Sequence, residues 1–153
     1  MNQVFRIISF FMMFSSVRSE PATVRVMRHH DGSQTVSRHY PGNRELVKKK
    51  ISANGTLQLS SHYALDAEGI PRSGKVYDGQ GALLYKISFA FSRKTGRLVA
   101  ERMFDAVLKD PKTGQPLLVS ETRYTYDAHG RRSKPVTRTF VKGATAEQHF
   151  GGK

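Results

Sequence analysis

Residues 83–92 read LLYKISFAFS, and this stretch decides the fold. Five apolar or aromatic side chains occupy the odd positions from Leu83 to Phe91, whereas Lys86 and Ser88 occupy even positions. A period of two places neighbouring side chains on opposite faces of a β-strand, whereas an amphipathic helix has a period near 3.6. The stretch therefore predicts a strand with one buried face and one solvated face.

The same alternation recurs on both sides of this stretch. The leucines and the tyrosine of residues 57–65 share one parity, and residues 121–126 place Thr122, Tyr124 and Tyr126 on a common face. Residues 98–108 are less regular and fit either a more central strand or a short helix. No other window has a convincing helical stripe.

Turn signals separate the alternating stretches. Glycine follows Asp or Asn about every 10–18 residues, as in Asp31-Gly32, Asn54-Gly55 and Asp78-Gly-Gln-Gly81. These residue types favour the left-handed conformations of hairpin turns, and the spacing leaves room for one strand between turns. The sequence predicts an all-β fold, an antiparallel β-meander of about 8–10 strands. Its apolar face requires a curled sheet, a half-barrel or a barrel.

One segment carries a family resemblance. Tyr124-Thr-Tyr126-Asp127-Ala-His-Gly130-Arg131 resembles the YxYDxxGR core of YD (RHS-type) repeats, and residues 76–83 resemble a second copy. The rhythm of residues 62–140 is also similar to variant MORN repeats. YD families use such hairpins as building material, and the repeat itself carries no catalysis. The resemblance implies a β-hairpin scaffold rather than an enzyme.

The N-terminus resembles a secretory signal peptide. Arg6 precedes the apolar residues 7–14, and small residues around Val17 and Ser19 fit a cleavage site before Glu20. The apolar run is far shorter than the ~20 residues that span a bilayer. We expect a signal peptide at 1–19, one domain at 20–142, a disordered tail at 143–153, and an exported protein, periplasmic or secreted. The alternative is a buried N-terminal strand or helix.

Composition excludes several kinds of site. The chain has no Cys, which rules out disulfides, thiol catalysis and Cys-ligated metals. It has no Gly-x-Ser-x-Gly elbow, and its acids lie mostly in turns, where capping explains them. Adjacent His29 and His30 would point to opposite faces of a strand, so a metal site with His39 is only a minor alternative. We expect no enzyme activity, no cofactor and no metal.

Positive charge is the strongest functional signal, because 25 Lys+Arg face 12 Asp+Glu and the formal net charge is +13. Alternate turns of a meander lie at the same end of the sheet. The second, fourth, sixth and eighth turns are therefore predicted to form one strongly basic rim, to which Arg44 also contributes. The residues expected to bind a polyanion there are Arg72, Lys75, Arg93, Lys94, Arg97, Arg131, Arg132 and Lys134.

A basic rim attracts polyanions through counterion release. For an exported protein the expected partners are lipid headgroups, glycans or another polyanion. Nucleic acid is a weaker expectation because most aromatic side chains share parity with the buried aliphatic ones. Three alternatives stay open. The charge serves only solubility, or the curled sheet carries a lipid or other hydrophobic ligand, or the chain is an enzyme without a visible motif.

Overall fold

The computed structural model describes residues 21–140, so the expected signal peptide and C-terminal tail lie outside the described residues. Within this range the chain forms nine β-strands and no helix. The strands are β1 (Thr23–Arg28), β2 (Gln34–Tyr40), β3 (Glu45–Ile51), β4 (Leu57–Leu65), β5 (Pro71–Asp78), β6 (Leu83–Phe91), β7 (Leu98–Lys109), β8 (Pro116–Arg123) and β9 (Val136–Thr139).

The nine strands form one antiparallel sheet in chain order, β1 to β9. The meander predicted from the alternation and the turns is confirmed, and the irregular residues 98–108 lie in a strand, β7, rather than in a helix. Among residues 21–140, β1 and β9 each pair on one side only, so the described sheet is open. The barrel alternative is therefore not what forms.

Bulges interrupt the ladder in five of the eight strand pairs, for example between Lys50 and Ile51 and between Ala90 and Phe91. A bulge adds a residue to one strand, bends it and increases its twist. Repeated bulges favour a curled sheet over a flat one. A curled sheet brings the side chains of one face closer together.

The two faces of the sheet differ in character. The apolar face carries one cluster of buried side chains, of which Val119, Val76 and Ile87 are 1%, 2% and 3% exposed. The whole cluster comprises Leu59, Tyr63, Leu65, Val76, Ile87, Met103 and Val119. The polar face is the opposite one, where the register aligns His62, Lys75 and Lys86 across β4, β5 and β6. The predicted alternation of β4 and β6 is confirmed.

Long cationic side chains cover part of the apolar face. Substantial contacts between strands join only neighbours in the sheet, so residues 21–140 supply no second layer. The Lys48 ammonium lies 5.4 Å from the ring centroid of Tyr63, and the Arg72 guanidinium lies 4.3 Å from that of Phe91. Lys and Arg stems shield apolar surface while their charged ends reach water. The rings are thus partly protected within a single layer.

Three turns share the Asp-x-x-Gly pattern that carries the family resemblance. The carboxylates of Asp66, Asp78 and Asp127 each accept hydrogen bonds of 2.8–3.0 Å from the backbone N–H groups two and four residues ahead. The glycine three residues ahead has a φ of 78–90°, which side chains with a Cβ rarely adopt. The pattern is therefore explained by turn formation.

Candidate polyanion-binding surface

The two ends of the sheet differ in charge. Antiparallel pairing in chain order places the even-numbered turns at one end and the odd-numbered turns at the other. The segments between strands contain seven basic and three acidic residues at the even end, against one basic and two acidic at the odd end. Strand residues within two positions of a turn add Arg72 and Arg123 to the even end, and Arg28, Lys50 and Lys109 to the odd end, so the even end keeps the larger number of cations. The turn cations of the even end, together with Arg72, are called the basic rim: Arg44, Arg72, Arg93, Lys94, Arg97, Arg131, Arg132 and Lys134.

The basic rim is extended rather than compact. Neighbouring strands lie about 4.8 Å apart, so successive even turns are roughly 10 Å apart and the rim is about 30 Å long. Such a line of charge matches a polymer or a surface with repeated anionic groups better than a single small anion.

Arg72 is held in place from two sides. Its Nε donates a 2.7 Å hydrogen bond to Oδ2 of Asp66, and its guanidinium stacks on Phe91. The pKa of Asp66 lies below its ordinary value, chiefly because the backbone N–H of Ile70 donates to the carboxylate, and Arg72 adds to the effect. Asp66 therefore stays ionised and offsets part of the charge of Arg72.

Two tyrosines support the cations of the sixth and eighth turns. The guanidinium of Arg97 lies 5.2 Å from the Tyr126 ring, and that of Arg132 lies 5.2 Å from the Tyr124 ring. The Tyr126 hydroxyl donates a 2.9 Å hydrogen bond to the carbonyl of Leu98, which fixes that ring against β7. The two tyrosines, predicted as strand residues, follow the end of β8 at Arg123. The rim is thus partly preorganised.

The remaining five cations of the rim differ in whether an acidic side chain neutralises them. Arg131 donates from Nε to Oδ2 of Asp127 at 2.9 Å. The pKa of Asp127 is lowered, chiefly by the hydrogen bond from the backbone N–H of Arg131. The other four are exposed and have no ion-pair partner among residues 21–140: Arg44, Arg93, Lys94 and Lys134. Arg97 and Arg132, which contact tyrosine rings, also have no ion-pair partner in this range, so six rim cations carry uncompensated charge.

Lys75 was predicted to lie on this rim, and the structure corrects that prediction. Lys75 pairs with His62 on one side and with Lys86 on the other, in the middle of β5. The fourth turn ends at Ile70, and a strand rises about 3.3 Å per residue, so Lys75 lies about 16 Å along the chain from the turn. The other seven predicted residues lie at the even end.

The polar face is a second concentration of positive charge, which the sequence analysis missed. The register places eight basic and two acidic residues on it: Arg28, Arg38, Lys49, Lys75, Lys86, Arg102, Arg123 and Arg138, with Glu45 and Glu121. Lys75 lies directly opposite Lys86, an arrangement that weakens strand pairing. The alternation of β6 already places Lys86 on the face opposite the buried side chains. Only the strand register, however, shows that Lys75 is its neighbour.

Glu121 neutralises part of the polar face. Its side chain is only 8% exposed, and its two carboxylate oxygens accept hydrogen bonds of 3.0 Å from Nε of Arg102 and Nε of Arg123. These hydrogen bonds, the one from Arg102 foremost, lower the pKa of Glu121. The buried carboxylate therefore joins the cations of β7 and β8 in the folded state.

A hydrogen-bond chain on the polar face joins an acid, an imidazole and a hydroxyl. Oε1 of Glu45 lies 3.0 Å from Nδ1 of His62, and Nε2 of His62 lies 3.0 Å from Oγ of Ser60. This connectivity resembles that of serine hydrolases. Ser60 is buried, however, and lies in a central strand that pairs on both sides, so backbone N–H groups are not gathered around it to stabilise an oxyanion. These hydrogen bonds chiefly fix the orientation of the His62 ring.

The minor alternative, a metal site formed by His29, His30 and His39, is not assembled in the described part of the chain. His29 Nε2 lies 2.9 Å from the hydroxyl of Thr35, and no group of three or more His, Asp or Glu in residues 21–140 could hold a metal ion. A search of the same residues for a helix long and apolar enough to cross a membrane finds none.

Comparison with known proteins adds no relative. No family model matches the chain, and no curated protein matches it.

Proposed function

We propose that the chain is a non-catalytic scaffold protein that binds polyanions through its basic rim. The observation that supports this proposal is the concentration of seven turn cations at one end of the sheet, against one at the other. The shared chemistry of the partner is a repeated anionic group, as in lipid headgroups or acidic glycans. The signal-like N-terminal sequence supports a location outside the cytoplasm, where such partners occur.

Salt dependence gives the proposal a magnitude. Each phosphate neutralised on duplex DNA contributes about 0.9 to the slope of log affinity against log salt. If the six rim cations without an ion-pair partner each neutralise one phosphate, affinity falls by about three orders of magnitude between about 50 and 200 mM salt. A single exposed ion pair would change far less.

The test compares two variants that remove equal charge from the full-length chain. The rim variant combines Arg93→Gln, Lys94→Gln and Lys134→Gln, none of which breaks an ion pair among residues 21–140. The control variant combines substitutions on the polar face: Lys49→Gln, Lys75→Gln and Lys86→Gln. The unmodified chain and both variants are titrated against vesicles of phosphatidylglycerol, vesicles of phosphatidylcholine, an acidic glycan and a DNA duplex over a salt series.

We expect the rim variant to lose at least tenfold in affinity at low salt and about three units of salt slope on DNA, whereas the control keeps most of both. Greater loss in the control would transfer the site to the polar face. Absence of binding by the unmodified chain to any anionic probe would overturn the proposal and leave solubility as the role of the charge.

The open apolar face supports a second candidate function, carriage of a hydrophobic ligand. Residues 21–140 place no second layer over the core cluster, and Phe89 and Tyr85 pack at its border. A lipid could add to the cover that Lys48 and Arg72 supply. A lipid found by mass spectrometry in an organic extract of the purified protein would support carriage, and an extract without lipid would count against it.

A further inference from the structure

The first strand is an edge of the sheet that only two arginines protect. All six residues of β1 are exposed, and Val24, Val26 and Met27 are 54%, 51% and 46% exposed. Edge strands normally carry protection such as charged side chains, proline, a bulge, a covering loop or very short length. Among the described residues β1 has only the charges of Arg25 and Arg28, and its pairing with β2 is regular along its whole length.

Hydrogen bonding at the first turn shows which backbone groups of β1 face outward. The N–H of His29 donates to the carbonyl of Ser33 at 2.9 Å. Hydrogen-bonded pairs alternate along an antiparallel ladder, so the odd-numbered residues of β1 bond to β2. The N–H and C=O groups of Val24, Val26 and Arg28 consequently point away from the sheet and are available to another strand.

We propose that β1 pairs antiparallel with β1 of a second copy of this chain, with Val26 opposite Val26 of the other copy. This register joins two nine-stranded sheets edge to edge. It makes Val26 with its counterpart, and Val24 with Arg28 of the other copy, hydrogen-bonded pairs. All the outward-facing backbone groups of both strands are then satisfied.

The bounds of β1 and its charges together select this register over its two neighbours. One neighbour places Arg25 opposite Arg25 in a pair with Cα atoms about 4.5 Å apart, where like charges repel. The other places Met27 opposite Met27, and each neighbour leaves one outward-facing residue of β1 opposite a residue outside the strand. In the proposed register Arg25 lies opposite Met27 of the other copy, and Val26 packs on Val26. The strand is thus complementary to itself, which favours a second copy over an unrelated peptide.

The assembly has a consequence for the basic rim, and this step rests on the proposed function. A two-fold axis perpendicular to the sheet keeps both polar faces on the same side. It also places the two basic rims at opposite ends of the joined sheet. A dimer would therefore bridge two anionic surfaces, whereas a monomer would bind one.

The first experiment measures mass by sedimentation equilibrium of the full chain at rising concentration. The interface is a single strand pair, below standard interface size, so we expect micromolar association to twice 17.2 kDa. Salt should strengthen the dimer by screening the +13 charges of the two copies, and it should weaken polyanion binding. The opposite salt responses distinguish failure of this proposal from failure of the proposed function.

Three lysine variants locate the interface. Val26→Lys should weaken the dimer at least tenfold, because the lysines of the two copies face each other. Val107→Lys is the control, since Val107 is 79% exposed and lies in β7, away from the edge. Val136→Lys tests the other edge strand, β9. A chain that stays monomeric throughout, or a dimer that only Val107→Lys or Val136→Lys weakens, would overturn the proposal.

Single cysteines test the register independently of stability, because the chain has no cysteine of its own. Opposed Cα atoms in the proposed pair lie about 5.5 Å apart, within the range that a disulfide spans. Val26→Cys should therefore oxidise to a covalent dimer at least tenfold faster than Arg25→Cys. Equal rates, or a faster reaction of Arg25→Cys, would refute the register.

Discussion

Replacing Gly79 with alanine tests how tightly β4 and β5 pair at the end opposite the basic rim. A Cβ at this position would overlap the carbonyl oxygen of Leu57 and lie 3.2 Å from its carbonyl carbon. Close C···O contacts in sheets are about 3.3–3.6 Å, so the strand ends must separate by about 1 Å. The oxygen belongs to the backbone of β4 and cannot rotate away as a side chain would.

Separating the ends of β4 and β5 breaks backbone hydrogen bonds at that end of the sheet. Loss of about two backbone hydrogen bonds, each worth about 0.5–1.5 kcal/mol, with some loss of packing, gives about 2–3 kcal/mol. For a domain of this size that lowers Tm by about 10 °C, measured by circular dichroism. Low-temperature binding to anionic vesicles should persist, because the basic rim lies at the other end.

Gly42→Ala is the matched control for this prediction. A Cβ at Gly42 meets no atom within 4 Å, and neither Gly42 nor Gly79 has a positive φ, so conformational strain is not the difference between them. The control should change Tm by about 2 °C or less. Equal changes in Tm in the two variants would refute the contact with the Leu57 carbonyl as the cause of destabilisation. A Gly79→Ala protein with the Tm of the unmodified chain would refute it as well.

Three further predictions concern charge and burial. Glu121→Gln should lower the free energy of unfolding by about 2 kcal/mol, because two guanidinium groups lose their shared carboxylate, whereas exposed Glu68→Gln should change it by about 0.5 kcal/mol or less in urea titrations. The pKa values of Asp66, Asp127 and Glu121 are lowered in the folded state, so their stabilisation is present above the ordinary values of 3.8, 3.8 and 4.5 and is lost as pH falls through the folded ones. A urea midpoint that stays constant below about pH 4 would contradict this. Burial raises the pKa of Tyr63 from 10.0 to about 12, so the stabilisation from this group is complete below pH 10.0 and disappears as pH rises through about 12. Ultraviolet titration should show one tyrosine that ionises at higher pH than the others, and Tyr63→Phe should remove that signal.

The fold was predictable because its determinants are local in the chain. Alternation in β4 and β6 needs only neighbouring residues to be recognised, and each Asp-x-x-Gly turn is formed by hydrogen bonds within five residues. Such signals give strands, turns and their order. In a meander the order of strands in the chain is also their order in the sheet, so the topology followed.

Positions along the strands were less predictable. Lys75 was assigned to the rim because it lies close in sequence to the fourth turn, yet each strand residue moves the chain about 3.3 Å away from the turn. The polar face was missed for a related reason. Lys75 and Lys86 are neighbours only through the register of β5 and β6, and a bulge between Val76 and Tyr77 shifts that register. No local pattern states where a bulge falls.

The position of the positive charge in the sheet carries information about function that the net charge alone does not. Solubility depends on net charge and not on which end of a sheet bears it. Each turn carries the chain from one end to the other, so cations gather at one end only if they recur with every second turn. The even turns contain seven basic residues and the odd turns one, although both kinds contain comparable numbers of acids. The even turns lie at one end only in the folded sheet. Their shared positive charge favours a partner at that end over solubility alone as the role of the charge. Equal loss of affinity in the rim variant and the polar-face variant would remove that distinction, because the partner would then respond to total charge.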